Sequence, residues 1–125
     1  YITELKQIVN AVRGSNLDGF GETADRLDAS LVDLEDATEW LLSQMAAGNA
    51  SAALAGATPY QRLFGLVLTG VYLAKGALAD EDHGRDNRLA LCRFAAENLI
   101  AETAALKDRV VNGAASLEAA RALFA

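Results

Sequence analysis

Apolar residues recur along this chain at the spacing of a helix. Ile2, Leu5, Val9 and Val12 step by three or four positions and predict a first short helix. Gly14-Ser15-Asn16, then Gly19 and Gly21, break it. A second helix is predicted from Glu22 to Ala47 on the stripe Ala24, Leu27, Leu31, Leu34, Thr38, Leu41 and Met45, with Gly48-Asn49 as its stop. A small-residue stretch, Ala46 to Ala57, separates it from the next element.

The third helix differs. Thr58-Pro59 reads as N-cap plus first helical position, and the apolar pattern runs to Ala79. Two stripes lie side by side: Tyr60, Phe64, Val67, Val71, Ala74 and Leu78, and Leu63, Leu66, Gly70, Leu73 and Ala77. Between Thr58 and Ala79 only Arg62 and Lys75 are charged. A helix that is apolar most of the way round has to be covered on more than one side. Gly65, Gly70 and Gly76 within it imply a closely approaching neighbour, or room for a large side chain such as Trp40 or Phe94.

A fourth helix is expected from Asp86 to Asn112 on Leu89, Cys92, Ala96, Leu99, Thr103, Leu106 and Val110, ended by Asn112-Gly113. A last short helix starts at Ser116 and turns Leu117, Ala120 and Phe124 inward. Heptad-like stripes on helices joined by short connections predict an all-α fold. The expected form is an antiparallel up-down bundle of about four helices plus a short C-terminal helix, in one domain spanning residues 1–125.

Composition narrows the chemistry. With 11 basic and 17 acidic residues the net charge is −6, which argues against a nucleic-acid binder, because that needs a basic stripe. A single Cys92 excludes an internal disulfide and suits a reducing compartment, and a single His83 excludes a multi-histidine metal cage. The third helix is long enough for a membrane span, but Arg62 and Lys75 leave only a short apolar run between them; a central bundle helix is the preferred reading.

Other candidates fail on their own terms. The acids Asp18, Glu22, Asp25, Asp28, Asp33, Glu35, Asp36 and Glu39 lie off the apolar stripe with no Glu-x-x-His pair, so they read as a solvated face rather than a di-metal centre. Counted from Asp80, a calcium loop would need an acid or Asn where Gly84 stands, Gly where Arg85 stands and Glu where Leu91 stands. His83 sits among acids that would repel a phosphoryl donor. Cys92 lies on an inward stripe with no basic partner, as a small hydrophobe does. No residue is assigned a catalytic, cofactor-binding or metal-binding role. The spare stripe on the third helix makes Leu63, Leu66 and Leu73, with Leu68 beside them, the interface candidates.

Three segments stand in order at helical positions: Ala37-Thr38-Glu39-Trp40-Leu41-Leu42; Tyr60-Gln61-Arg62-Leu63-Phe64-Gly65-Leu66-Val67 followed by Gly70; and Arg93-Phe94-Ala95-Ala96-Glu97-Asn98-Leu99. Together they resemble the C-terminal domain of bacterial acyl-CoA dehydrogenases, in the branch similar to 3-methylmercaptopropionyl-CoA dehydrogenase. The resemblance is clearest from Ala37 to Val111. It implies a parent enzyme that binds FAD, desaturates an acyl-CoA thioester between its α and β carbons and passes electrons to an electron-transfer flavoprotein. It further implies a bacterial, cytoplasmic setting and a homo-oligomer.

The opening at Tyr1, directly in an amphipathic pattern and without a secretory signal, suits a C-terminal fragment of such an enzyme whose partner is the upstream dehydrogenase part of the same chain. The expected role is therefore accessory: packing on the catalytic body and supporting dimer contacts. Two alternatives come from the residues alone. One is a stand-alone module that self-associates through the third helix. The other is a ligand-binding bundle with a pocket beside the third-helix glycines.

Overall fold

In the computed structural model, residues 1–80 and 84–124 are described. Six α-helices account for most of them: α1 (Ile2–Gly14), α2 (Thr23–Ala46), α3 (Ala50–Ala55), α4 (Ala57–Ala79), α5 (Arg85–Asn98) and α6 (Thr103–Phe124). Short 3₁₀ turns lie at Asp18–Phe20 and Ile100–Glu102, and no strand occurs among the described residues.

Cross-links between helices give the directions. Arg13 of α1 reaches Asp25 and Asp28 of α2, while Lys6 reaches Glu35, so these two helices run antiparallel. Tyr60 of α4 bonds Thr38 of α2, and Gly70 faces Leu27, so α4 runs antiparallel to α2. Arg62 pairs with Glu102 and Arg88 with Asp80, so α5 and α6 together run back along α4. The result is the all-α up-down bundle that the spacing predicts, with α4 packed on α1, α2, α5 and α6.

Each helix buries one stripe. Leu5, Val9 and Val12 come from α1; Leu27, Leu31 and Leu34 from α2; Leu63, Val67, Val71 and Ala74 from α4; Leu106 and Val110 from α6. Among the described residues the only buried polar ones are short hydroxyls, including Ser30, whose Oγ donates to the Leu27 carbonyl, and Thr23, whose Oγ1 donates to that of Phe20. Bonding back to the helix in this way satisfies a buried hydroxyl without a partner from another element.

Gly48-Asn49 does stop α2. Gly48 takes φ 78°, and the Asn49 N–H bonds the Gln44 carbonyl at 2.9 Å, closing a Schellman-type end. At Gly70 the reason for glycine is a neighbour. A Cβ there would stand 2.7 Å from Ile100 Cδ1 and 2.8 Å from Leu27 Cδ2. Neither Trp40, half-buried, nor Phe94, exposed, occupies that space.

Four details depart from the pattern. First, the expected fourth helix is two helices: winding tightens at Ile100–Glu102, which puts Ile100 in the core where Leu99 was expected, and leaves Leu99 half-buried. The pull is the space above Gly70. Second, Asn112-Gly113 does not end a helix, because neither residue adopts the left-handed conformation of a stop, and Asn112 donates to Asp108 at 2.7 Å within the helix. Third, α4 begins at Ala57, one residue before the expected cap at Thr58. Pro59 is tolerated because the first four helical N–H groups have no intrahelical partner to lose. Fourth, the small-residue stretch is not bare connection; Ala50–Ala55 forms α3.

Candidate functional site

The acidic face of α2 is a set of inter-helix ties. Lys6 pairs with Glu35 at 3.0 Å, Arg13 with Asp25 at 2.6 Å and also with Asp28, and Lys107 with Asp36 at 3.9 Å. The Thr103 hydroxyl donates to Asp33 at 3.0 Å. These ion pairs are largely solvent-exposed, so each adds little stability, and they set the register of α1 and α6 on α2 more than they stabilise it. Among the described residues no group of acids, cysteine and histidine is arranged to hold a metal ion. His83, with Glu81 and Asp82 of the calcium-loop comparison, lies outside the described residues.

Cys92 is buried on α5 beside Thr23. Burial pushes its thiol up to about 11, against a smaller opposing effect of the Thr23 hydrogen bond. The thiol therefore stays protonated near neutral pH and is a poor nucleophile.

The interface candidates separate. Leu63 is fully buried, so the expectation that it faces outward is corrected: it goes to the core with Val67 and Val71. Leu66, Leu68 and Leu73 are half-buried against the core. The outer face of α4 is made instead by Thr58, Gln61, Arg62, Gly65, Thr69, Tyr72 and Lys75. It contains no acid, and nothing lies within 4 Å of where a Gly65 side chain would be.

The inward placement of Leu117, Ala120 and Phe124 is also corrected. All three are exposed: Leu117 only borders the edge of α3, and Ala120 and Phe124 lie on the last turns of α6 beyond it. Beside them, α3 forms a low ridge between two grooves. One, of about 260 Å³, runs between α3 and α6 and is lined by Trp40, Ala52, Ala55, Val111, Ala114 and Leu117 among others. The other, of about 370 Å³, lies on the opposite side of α3 between Leu41, Met45, Ala53, Leu54, Ala57 and Tyr60, and is almost wholly apolar. Sequence reading missed this second groove. Its one signal was Leu54, a lone large residue inside the small-residue stretch.

The segments that carried the resemblance turn out to be structural. Tyr60 donates to or accepts from Thr38 at 2.8 Å and its ring packs on Phe64, whose ring in turn stacks with Tyr1. Gly70 admits Ile100, and Arg93 pairs with Glu97 at 2.8 Å. The chain matches the family described as acetyl-CoA dehydrogenase C-terminal like over residues 1–121. It belongs to that family. The match supports an accessory domain of acyl-CoA dehydrogenases. No curated protein and no solved structure matches the chain.

Two concavities of this domain are poorly suited to a flavin dinucleotide. The most polar one, about 380 Å³ at the turn between α1 and α2, is walled by Asp18, Glu22 and Asp25, whose charge would repel a pyrophosphate. Its one cation, Arg13, is already engaged by Asp25 and Asp28. The groove at Leu54 has no donors to offer phosphates.

Proposed function

We propose that this domain serves an FAD-dependent acyl-CoA dehydrogenase by packing on its catalytic body through the outer face of α4. The parent reaction is α,β-desaturation of an acyl-CoA thioester, with FAD held upstream and an electron-transfer flavoprotein as acceptor, in a bacterial cytoplasm. The domain itself supplies no reacting group.

The observation that carries this reading is the outer face of α4. It is a long helix face without acids, with an open Gly65 and half-buried Leu66, Leu68 and Leu73 flanking it. Only Arg62 and Lys75 are charged there, and Arg62 is turned sideways to Glu102. Such a face admits a second helix at close range, and its two cations favour an acidic rim on whatever docks. The same two cations, and the packing of α4 on four other helices, favour a bundle helix over a membrane span, although α4 is long and apolar enough for one.

Co-expression of the dehydrogenase body and this domain as separate chains tests the reading. The two should co-purify, and Thr69→Arg, which puts a bulky cation in the middle of the exposed face, should weaken their association by tenfold or more, about 1.4 kcal/mol. Failure of the unaltered chains to associate, or indifference to Thr69→Arg, would reject α4 as the docking face.

A further inference from the structure

The far end of the bundle gathers six of the large apolar side chains that are more than half exposed. On the groove side Met45 is 63% and Leu54 74% exposed, with Leu42 at 59% one turn from Met45. On the tail of α6, Leu117 is 57%, Leu123 82% and Phe124 90% exposed. Leu117, Ala120 and Phe124 recur at the spacing of one helix face, with Leu123 beside them. Beyond Glu118, which still borders α3, such a short helix end is marginal in water.

We propose that the tail of α6 seats in the Leu54 groove of a second copy of this chain, and that the second copy returns its own tail to the first. This inference stands apart from the docking of α4, since it uses α3 and the tail of α6, and of α4 only Ala57 and Tyr60 at its start. Three observations select a second copy as the occupant.

The groove and the tail are complementary in kind. One is an almost wholly apolar trough, the other an apolar helix stripe whose only charges, Glu118 and Arg121, lie close enough to neutralise each other. The tail is also kept from its own groove. Leu117 and Glu118 line the concavity on one side of α3 with Ser51, Ala52 and Ala55, whereas Ala50, Ala53, Leu54 and Ala57 open to the other side. The α3 ridge stands between them, so a tail following its present course reaches a groove only on another molecule.

The area is sufficient. Six large apolar side chains, each more than half exposed, offer roughly 100 Å² apiece. Reciprocal exchange then covers about 1,200 Å² in total, the lower bound of a specific, stable interface. Because tail and groove are both at one end, a two-fold axis closes the exchange on itself and leaves no open edge for further copies.

The test uses two single-cysteine additions to the 125-residue chain, Leu54→Cys and Leu123→Cys, made separately, mixed and oxidised. The unaltered chain is the control, since its one cysteine is buried. Light scattering over a concentration series reads the association itself. The expected results are a dimer of the unaltered chain, a disulfide joining the two different variants, and a dissociation constant raised at least tenfold by Leu117→Asp with Phe124→Asp, with helical circular dichroism preserved because both positions are exposed.

Three results would overturn the proposal. The first is a monomer at every concentration. The second is an intramolecular disulfide in dilute Leu54→Cys/Leu123→Cys chain, which would place the tail in its own groove. The third is a dimer that survives the aspartates but dissociates with Leu66→Asp and Leu73→Asp, which would move self-association to α4.

Discussion

The two ends of this bundle are built on different terms. At the end where α1 turns into α2, the chain closes itself. Phe20 is buried beneath the turn, the Leu89 side chain fills the space above Gly19, and Arg13 clamps Asp25 and Asp28. At the opposite end α1 is absent. Its 13 residues span about 20 Å, against about 36 Å for the 24 residues of α2, so α1 is too short to cover the last turns of α2. The six residues of α3 fill in, but apart from Leu54 they offer only alanine and serine side chains. Short side chains cannot cover Met45 or Leu42, and α6 runs past without returning. At this end, exposed apolar surface follows from unequal helix lengths; elsewhere Val32, Leu91 and Phe94 are exposed on the outer faces of α2 and α5.

The sharpest way to break this comparison is to damage the closed core and the open end in turn. Ile100→Ala empties the space above Gly70 where α2, α4 and the 3₁₀ turn meet, and should cost about 2–5 kcal/mol in urea unfolding. A cost below 1 kcal/mol would mean that the close approach at Gly70 is not part of the core.

A smaller effect comes from Cys92. Its thiol is held at about 11 in the fold, against 9.0 for the free group. The folded state therefore keeps a proton that the unfolded chain gives up first. Stability from this group is whole below pH 9.0 and is lost as pH rises toward about 11, at up to about 1.4 kcal/mol per pH unit. The unfolding free energy of Cys92→Ala should be flatter than that of the unaltered chain over that window. Parallel curves would show that burial does not hold the proton.

The least effect should come from Leu54→Ser at the open end. In dilute protein its unfolding free energy should stay within about 0.5 kcal/mol of the unaltered chain, because the side chain is exposed. A loss that appears only as protein concentration rises would tie this end to association.

Much of the fold was legible because it rests on periodicity. The stripes Leu5-Val9-Val12, Leu27-Leu31-Leu34 and Leu106-Val110 went to the core as their spacing requires, and the Gly48-Asn49 stop closed α2. The candidate site was less legible. Leu63 and its neighbours form two adjacent stripes, and spacing alone does not say which of them a neighbour covers; packing of α4 in the bundle buried Leu63 and left Leu66 and Leu73 half-covered. Leu117 and Phe124 carry a helix period that looks inward, but a period shows only that one face is apolar, not that anything stands opposite it.

By itself the sequence determined that this protein is helical, where α1, α2 and α4 lie to within a residue or two, and which family it belongs to, since each depends on residue types at short separation. Only the tertiary structure decided that winding tightens at Ile100, that α6 continues through Gly113, and that one end of the bundle stays open. Those outcomes depend on contacts between residues far apart in the chain, on the room above Gly70 and on the relative lengths of α1 and α2. No local pattern encodes such distances; they exist only once the helices are packed.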